Sequence, residues 1–227
     1  MQALKKGVLC RIKQKNLPII LKKRGQVIFM KTLIKSACIA FVLAVIYSMI
    51  PFQAECAQIS DEVFRLHILA NSNSDADQAL KLKVRDRVLE YTESLFVNTN
   101  SKETAEKVIS DNLQSIANTA YAEVLENGYD YCVKAEITNM HFSTRYYENY
   151  TLPSGNYDAL RITIGEGKGH NWWCVMYPSL CISSTEQQDE KAHEVFSDEQ
   201  YDIVKNEHYQ YKFKLVELFE DLCFVFK

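Results

Sequence analysis

The sequence predicts a single α+β domain, an antiparallel sheet packed against two long helices, in the order β-α-α-β-β-β with a helical C-terminal tail. Four short segments alternate apolar and polar residues at the period of a half-buried strand. Between the first and second of them lie two longer segments of helical periodicity bounded by capping signals. With 227 residues, 47% hydrophobic content, 7 Gly, 4 Pro and no internal repeat, the chain suffices for one well-buried core.

The N-terminal part is read first. Residues 1–56 carry 10 Lys and Arg and a single acid, Glu55, which leaves 16 basic and 28 acidic residues in 57–227. So acidic a body argues against nucleic-acid binding, which depends on neutralising phosphates. After Lys31 and Lys35 comes "SACIAFVLAVIYSMIPF", an apolar run of roughly fifteen residues, about signal-peptide length and short for a bilayer span. Ala54 and Cys56 supply small residues at −3 and −1 for cleavage before Ala57. Residues 30–56 therefore read as a signal peptide or an N-terminal membrane anchor, the membrane being met only through this segment. Residues 1–29 are basic and aperiodic, and Met30-Lys31 makes a better start for the charged region. They are expected to be a non-native or non-translated extension. Residues 57–227 are then the extracytoplasmic domain.

Within the body, "VFRLHILA" (63–70) is a strand with Phe64, Leu66 and Ile68 on one face and Arg65 and His67 on the other. Ser74 and Asp77 then form a capping-box signature, and Asp75 and Asp77 suit a helix N-terminus. That helix runs to about Phe96 along Leu80, Val84, Val88, Tyr91 and Leu95. Ser101 caps a second helix, with the stripe Ala105, Ile109, Leu113, Ile116, Ala120 and Val124, stopped at Asn127-Gly128. The period then changes. "YCVKAEIT" (131–138), "YDALRITIG" (157–165) and "NWWCVMY" (171–177) are strands, "STRYYENYTL" is β-prone and Pro153–Asn156 is a turn. "GEGKGH" reads as a flexible hairpin connection between the last two strands. Residues 183–200 form a loop or short helix. The tail, 209–227, opens with alternating Tyr209, Tyr211, Phe213 and Leu215 and continues on a helical stripe of Val216, Phe219 and Cys223.

Candidate chemistry concentrates around Cys174. A Cys–His pair activates a thiolate nucleophile, and His170, His67 and His141 are the available histidines. On a strand, however, His170 and Cys174 stand roughly 13 Å apart, beyond a hydrogen bond. None of the Cys and His spacings is the short zinc-ligand form, so no metal or cofactor is expected. "GEGKGH" precedes a strand and lacks the Lys-Ser/Thr ending of a phosphate loop. In an exported body, Cys132, Cys174, Cys181 and Cys223 point toward disulfides, with three pairings open. Trp172 and Trp173 occupy opposite faces of their strand, one for the core and one for solvent or a covering element. Asn71, Ser72, Asn73 and Ser74 form a dense polar turn with both recognition and capping capacity.

"FRLHILANSNSDADQALKLKVRDRVLE" followed by "NWWCVMYPSLC" resembles the stage II sporulation protein R family of endospore-forming Firmicutes, over about Phe64 to Cys181. The resemblance implies a secreted, non-enzymatic signalling protein made in the forespore and exported between the two sporulation membranes. There it would trigger a membrane-embedded aspartic protease to process the precursor of a mother-cell sigma factor, pro-sigma-E. One position departs: the family usually has two prolines before the second cysteine, and here the second is Ser179. The motif positions carried over as candidate partner contacts are Arg65, His67, Asn71, Ser72, Asp77, Gln78, Lys81, Arg85, Asp86, Asn171, Trp172 and Trp173, with Cys174 and Cys181 as a candidate disulfide closing a small loop. The rival reading is a secreted hydrolase acting on the cell envelope through Cys174 or a carboxylate.

Overall fold

The computed structural model describes the backbone of residues 2–96, 99–147, 149–180 and 185–225. Side chains are described within 29–218, apart from 97–98, 148, 181–188 and 207. The chain divides into two units, residues 1–51 and 52–227. Helix α1, Gln2–Glu62, supplies the first unit. Its stretch Phe29–Glu62 is long and apolar enough to cross a membrane, and a signal sequence passes the same test. The last turns of α1 belong to the second unit. Phe52, Cys56 and Ile59, at helical spacing, are buried there, and Phe52 packs on Tyr209 and Phe213 with ring centroids 5.8 and 5.3 Å away.

In the second unit, β1 is Phe64–Leu69 and α2 is Asp75–Leu95, with the Ser74 hydroxyl accepting from the Asp77 amide at 3.2 Å. The predicted second helix is divided into α3, Lys102–Asp111, and α4, Leu113–Glu126. The break falls at Asn112, whose side-chain amide donates back to the Val108 carbonyl at 2.8 Å and competes with the helical ladder. Strands β2 (Val133–Phe142), β3 (Arg145–Tyr146), β4 (Thr151–Leu152), β5 (Gly155–Ile164) and β6 (Asn171–Tyr177) follow. Helices α5 (Thr185–Val195), α6 (Asp198–Lys205) and α7 (Gln210–Val225) complete the chain. The tail is helical from Gln210, so its opening alternation does not produce a strand; Phe219 and Cys223 lie outside the described side chains.

The main sheet has the order β2-β5-β1-β6, and β3 pairs with β4 in a separate ribbon. Antiparallel pairing dominates, as expected, but β1 and β5 run parallel. The Gly165–His170 connection is consequently not a hairpin, because β1 lies between the two strands it joins. It passes over the C-terminal end of β1, which decides how the polar turn there is used.

One face of the sheet carries Phe64, Leu66, Ile68, Leu160, Ile162, Ile164, Cys174 and Met176 against Leu80, Val84 and Val88 of α2, Ala105 and Ile109 of α3, and Ile116, Ala120 and Val124 of α4. Each buried aliphatic side chain there contributes roughly 1.5–3 kcal/mol, and truncating Leu66 to Ala would cost about 2–5 kcal/mol. The opposite face is also covered. Tyr157, Ala159 and Val175 on it are buried, and so are Arg65 and His67, which the alternation assigned to the polar side.

Candidate partner interface

The sequence-predicted residues fall into three groups. The first is a latch at the C-terminal end of β1. Asn71 Nδ2 and the Ser72 hydroxyl both donate to Asp77 Oδ2, at 2.9 and 2.5 Å. Gln78 donates to the Ser72 carbonyl at 2.8 Å, and Lys81 Nζ donates to Gln78 Oε1 at 2.7 Å and to the His170 carbonyl at 2.9 Å. From the crossing loop, the Glu166 amide donates to Asn71 Oδ1 at 3.0 Å and the His170 amide to Asn73 Oδ1 at 2.7 Å. The Ser72 hydrogen bond, with help from Asn71, holds the Asp77 carboxyl below its usual range. Burial lowers the Lys81 ammonium from its ordinary value. Through these bonds Asn71, Ser72, Asp77, Gln78 and Lys81 tie the turn and α2 to the crossing loop that leads into β6.

The second group is a groove between α2 and β6. The Arg85 guanidinium lies over the Trp172 ring, 4.3 Å from its centroid, and pairs with Asp86 at 2.6 Å. With Leu89, Glu90, Glu93 and Cys174 these residues line an open groove of about 480 Å³. The Trp172 indole N–H is buried without a partner. An aromatic ring, a guanidinium and an acidic rim on a rigid helix and strand are what a partner's side chains dock against.

Trp173 points the other way, as consecutive strand residues must, and joins the third group. Its indole stacks on His67, and Phe142 meets it edge-on with centroids 4.6 Å apart. Arg145 lies over the Trp173 ring at 5.3 Å. Arg65 lies against the faces of two adjoining rings, 4.1 Å from the Phe142 centroid and 4.9 Å from that of Tyr157, and donates to the Tyr147 hydroxyl at 2.6 Å. Burial lowers the Arg65 guanidinium below its ordinary value, and burial also depresses His67, to about 4. Arg145, Tyr147 and Phe142 were not singled out in the sequence; the aromatic density of "YYENY" was the available signal.

Asn171 is exposed at the start of β6. Cys174 is disulfide-bonded, which removes the thiolate that a cysteine hydrolase requires. Cys181 lies outside the described residues, whereas Cys132 is an exposed free thiol. Among the described residues no group of three or more His, Cys, Asp and Glu is placed to hold a metal ion.

An α+β domain preceded in the chain by an apolar N-terminal helix is the class of protein these features define. The chain belongs to the stage II sporulation protein R family, whose sequence model matches residues 60–187, more than half of its length. It is 37% identical over 141 residues to the stage II sporulation protein R of Bacillus subtilis (strain 168), covering 59% of this chain and 63% of that relative. No solved structure matches.

Proposed function

We propose that this chain is an exported signal that passes between the two compartments of a sporulating cell. It activates a membrane-embedded aspartic protease, which then processes the precursor of a mother-cell sigma factor, pro-sigma-E. Family membership supports the sporulation role. The exposed apolar segment Phe29–Pro51, followed by a compact body that begins at Phe52, is the observation that carries export. Residues 30–56 would serve as signal or anchor, and the remainder would be the signalling domain in the space between the membranes.

In this reading the Arg85–Trp172 groove meets the protease. Activation is a shift of population: the body binds the active form more tightly, so the protease equilibrium moves toward it. The proposed Cys174–Cys181 disulfide would fix the loop after β6 beside that groove. The protein itself makes and breaks no bonds.

Co-expression with the protease and its precursor substrate tests this reading. Processing is expected when residues 30–227 carry the export segment. It should be lost when the segment is removed so that the body stays in the cytosol. Full processing from the cytosolic body would overturn the proposal.

A further inference from the structure

The second face of the sheet gathers positive charge around one fully buried guanidinium, that of Arg65. The strand register sets Glu136, Arg161, His67 and Trp173 in one row across β2, β5, β1 and β6. Arg65 is the next residue inward on the same face of β1, and Arg145 reaches over Trp173 from β3. Arg65 is 0% exposed, yet its Nε and Nη1 have no hydrogen-bond partner. Arg145 Nε and Arg161 Nε likewise have no hydrogen-bond partner, while His67 has the Asn171 side chain as its hydrogen-bonding neighbour.

Buried guanidinium groups are ordinarily matched by carboxylates, because an unpaired charge costs several kcal/mol to desolvate. The rings of Phe142 and Tyr157 offset part of that cost for Arg65 but offer its N–H groups no acceptor. Among the described residues Glu136 is the carboxylate in this row, and Lys134 already holds it at 2.6 Å. Three arginines with orphaned donors on one face of the sheet make a site that lacks its anion.

We propose that this face binds a compact oxyanion, a carboxylate or a phosphate group, with Arg145 over Trp173 and Arg161 beside His67 at the rim and with Arg65 behind them. Arg145, Arg161 and Trp173 are only half-buried, so the site opens to solvent at that edge. Charge-assisted hydrogen bonds from two or more guanidinium groups hold such a group bidentately. The site lies on the face of the sheet opposite the Arg85–Trp172 groove and is independent of it.

The protein has 2 Trp, so Trp172→Phe leaves Trp173 as the sole indole, stacked on His67 inside the site. The full chain in detergent micelles is titrated with inorganic phosphate and with succinate, at ionic strength held constant with sodium chloride. Trp173 fluorescence and the melting temperature are followed together. A saturable change in both is expected with at least one anion, and the anion that gives it identifies phosphate or carboxylate as the source. Arg145→Gln and Arg161→Gln should each weaken the apparent affinity about tenfold, in line with the loss of one charged hydrogen bond. These rim changes keep the test decisive even where Arg65→Met fails to fold. The proposal is overturned if neither anion gives a saturable response, or if the double rim variant responds as the parent does.

Discussion

The imidazole of His67 lies flat on the indole of Trp173, with ring centroids 4.1 Å apart and planes 2° from parallel. The contact joins β1 to β6 on the face of the sheet away from the helices. It also gives the histidine an environment that disfavours its charge.

His67 makes stability depend on pH. Burial, the largest cause, lowers its folded-state value to about 4 from an ordinary 6.5, with Arg161 and Arg65 adding to the effect. Above the unfolded value both states are neutral and the contribution is fully present. As pH falls from 6.5 toward 4, the unfolded chain takes up a proton that the folded chain refuses, so stability is lost at up to about 1.4 kcal/mol per pH unit. Urea denaturation at pH 7.5, 6 and 5 should show this decline, and His67→Gln should flatten it. Equal slopes for the two proteins would refute the assignment.

Phe52 marks where the body starts. A chain beginning at Ala57 loses the Phe52 ring from its site against Tyr209 and Phe213, together with the buried Cys56. A cost of roughly 3–5 kcal/mol is expected for the phenylalanine alone. That corresponds to a melting temperature lower by the order of 10 °C than for a chain beginning at Phe52. Matching melting curves would show that the residues before Ala57 are dispensable.

Two glycines should respond to alanine for different reasons. At Gly169 an added Cβ meets the Ser72 carbonyl oxygen at 2.2 Å, and this backbone atom cannot step aside without opening the latch. At Gly128 the space is empty but φ is +80°. Gly128→Ala should therefore cost only the strain of a left-handed conformation, about 1–2 kcal/mol. Gly169→Ala should cost more and should also speed amide exchange in residues 71–77. Similar exchange rates in the two variants would count against the latch.

The groove makes a separable prediction. Arg85→Ala removes a cation–π contact worth about 0.5–1 kcal/mol and should leave the fold intact. If the groove meets the protease, Trp172→Ala should lower sigma-precursor processing more than tenfold, as loss of a central aromatic anchor does. Unimpaired processing by a folded Trp172→Ala protein would remove the groove from the interface.

Much of this fold was legible in local pattern. Phe64, Leu66 and Ile68 face the core because strand side chains alternate, and Ser74 caps α2 because its hydroxyl reaches the Asp77 amide. The opposed tryptophans followed from the same alternation. What escaped was set by partners distant in sequence. The parallel pairing of β1 with β5 leaves no mark in either strand alone, and without it the Gly165–His170 loop reads as a hairpin. Arg65 and His67 stood on the expected polar face, yet that face is roofed by Phe142, Tyr147 and Trp173. Asn71, Ser72 and Asp77, brought forward as candidate contacts, also bond to one another, and the crossing loop donates to Asn71.

The place of β1 in the sheet has a consequence for how the protein is made. It is an interior strand, yet its neighbours come only from residues 158–163 and 171–177. A chain threaded through a translocation channel N-terminus first would present "FRLHIL" long before either neighbour emerged. Such non-local closure is slow, and an unpaired strand with one apolar face invites aggregation while it waits. If the proposed export holds, delivery becomes a race between completing β5 and β6 and losing the first strand.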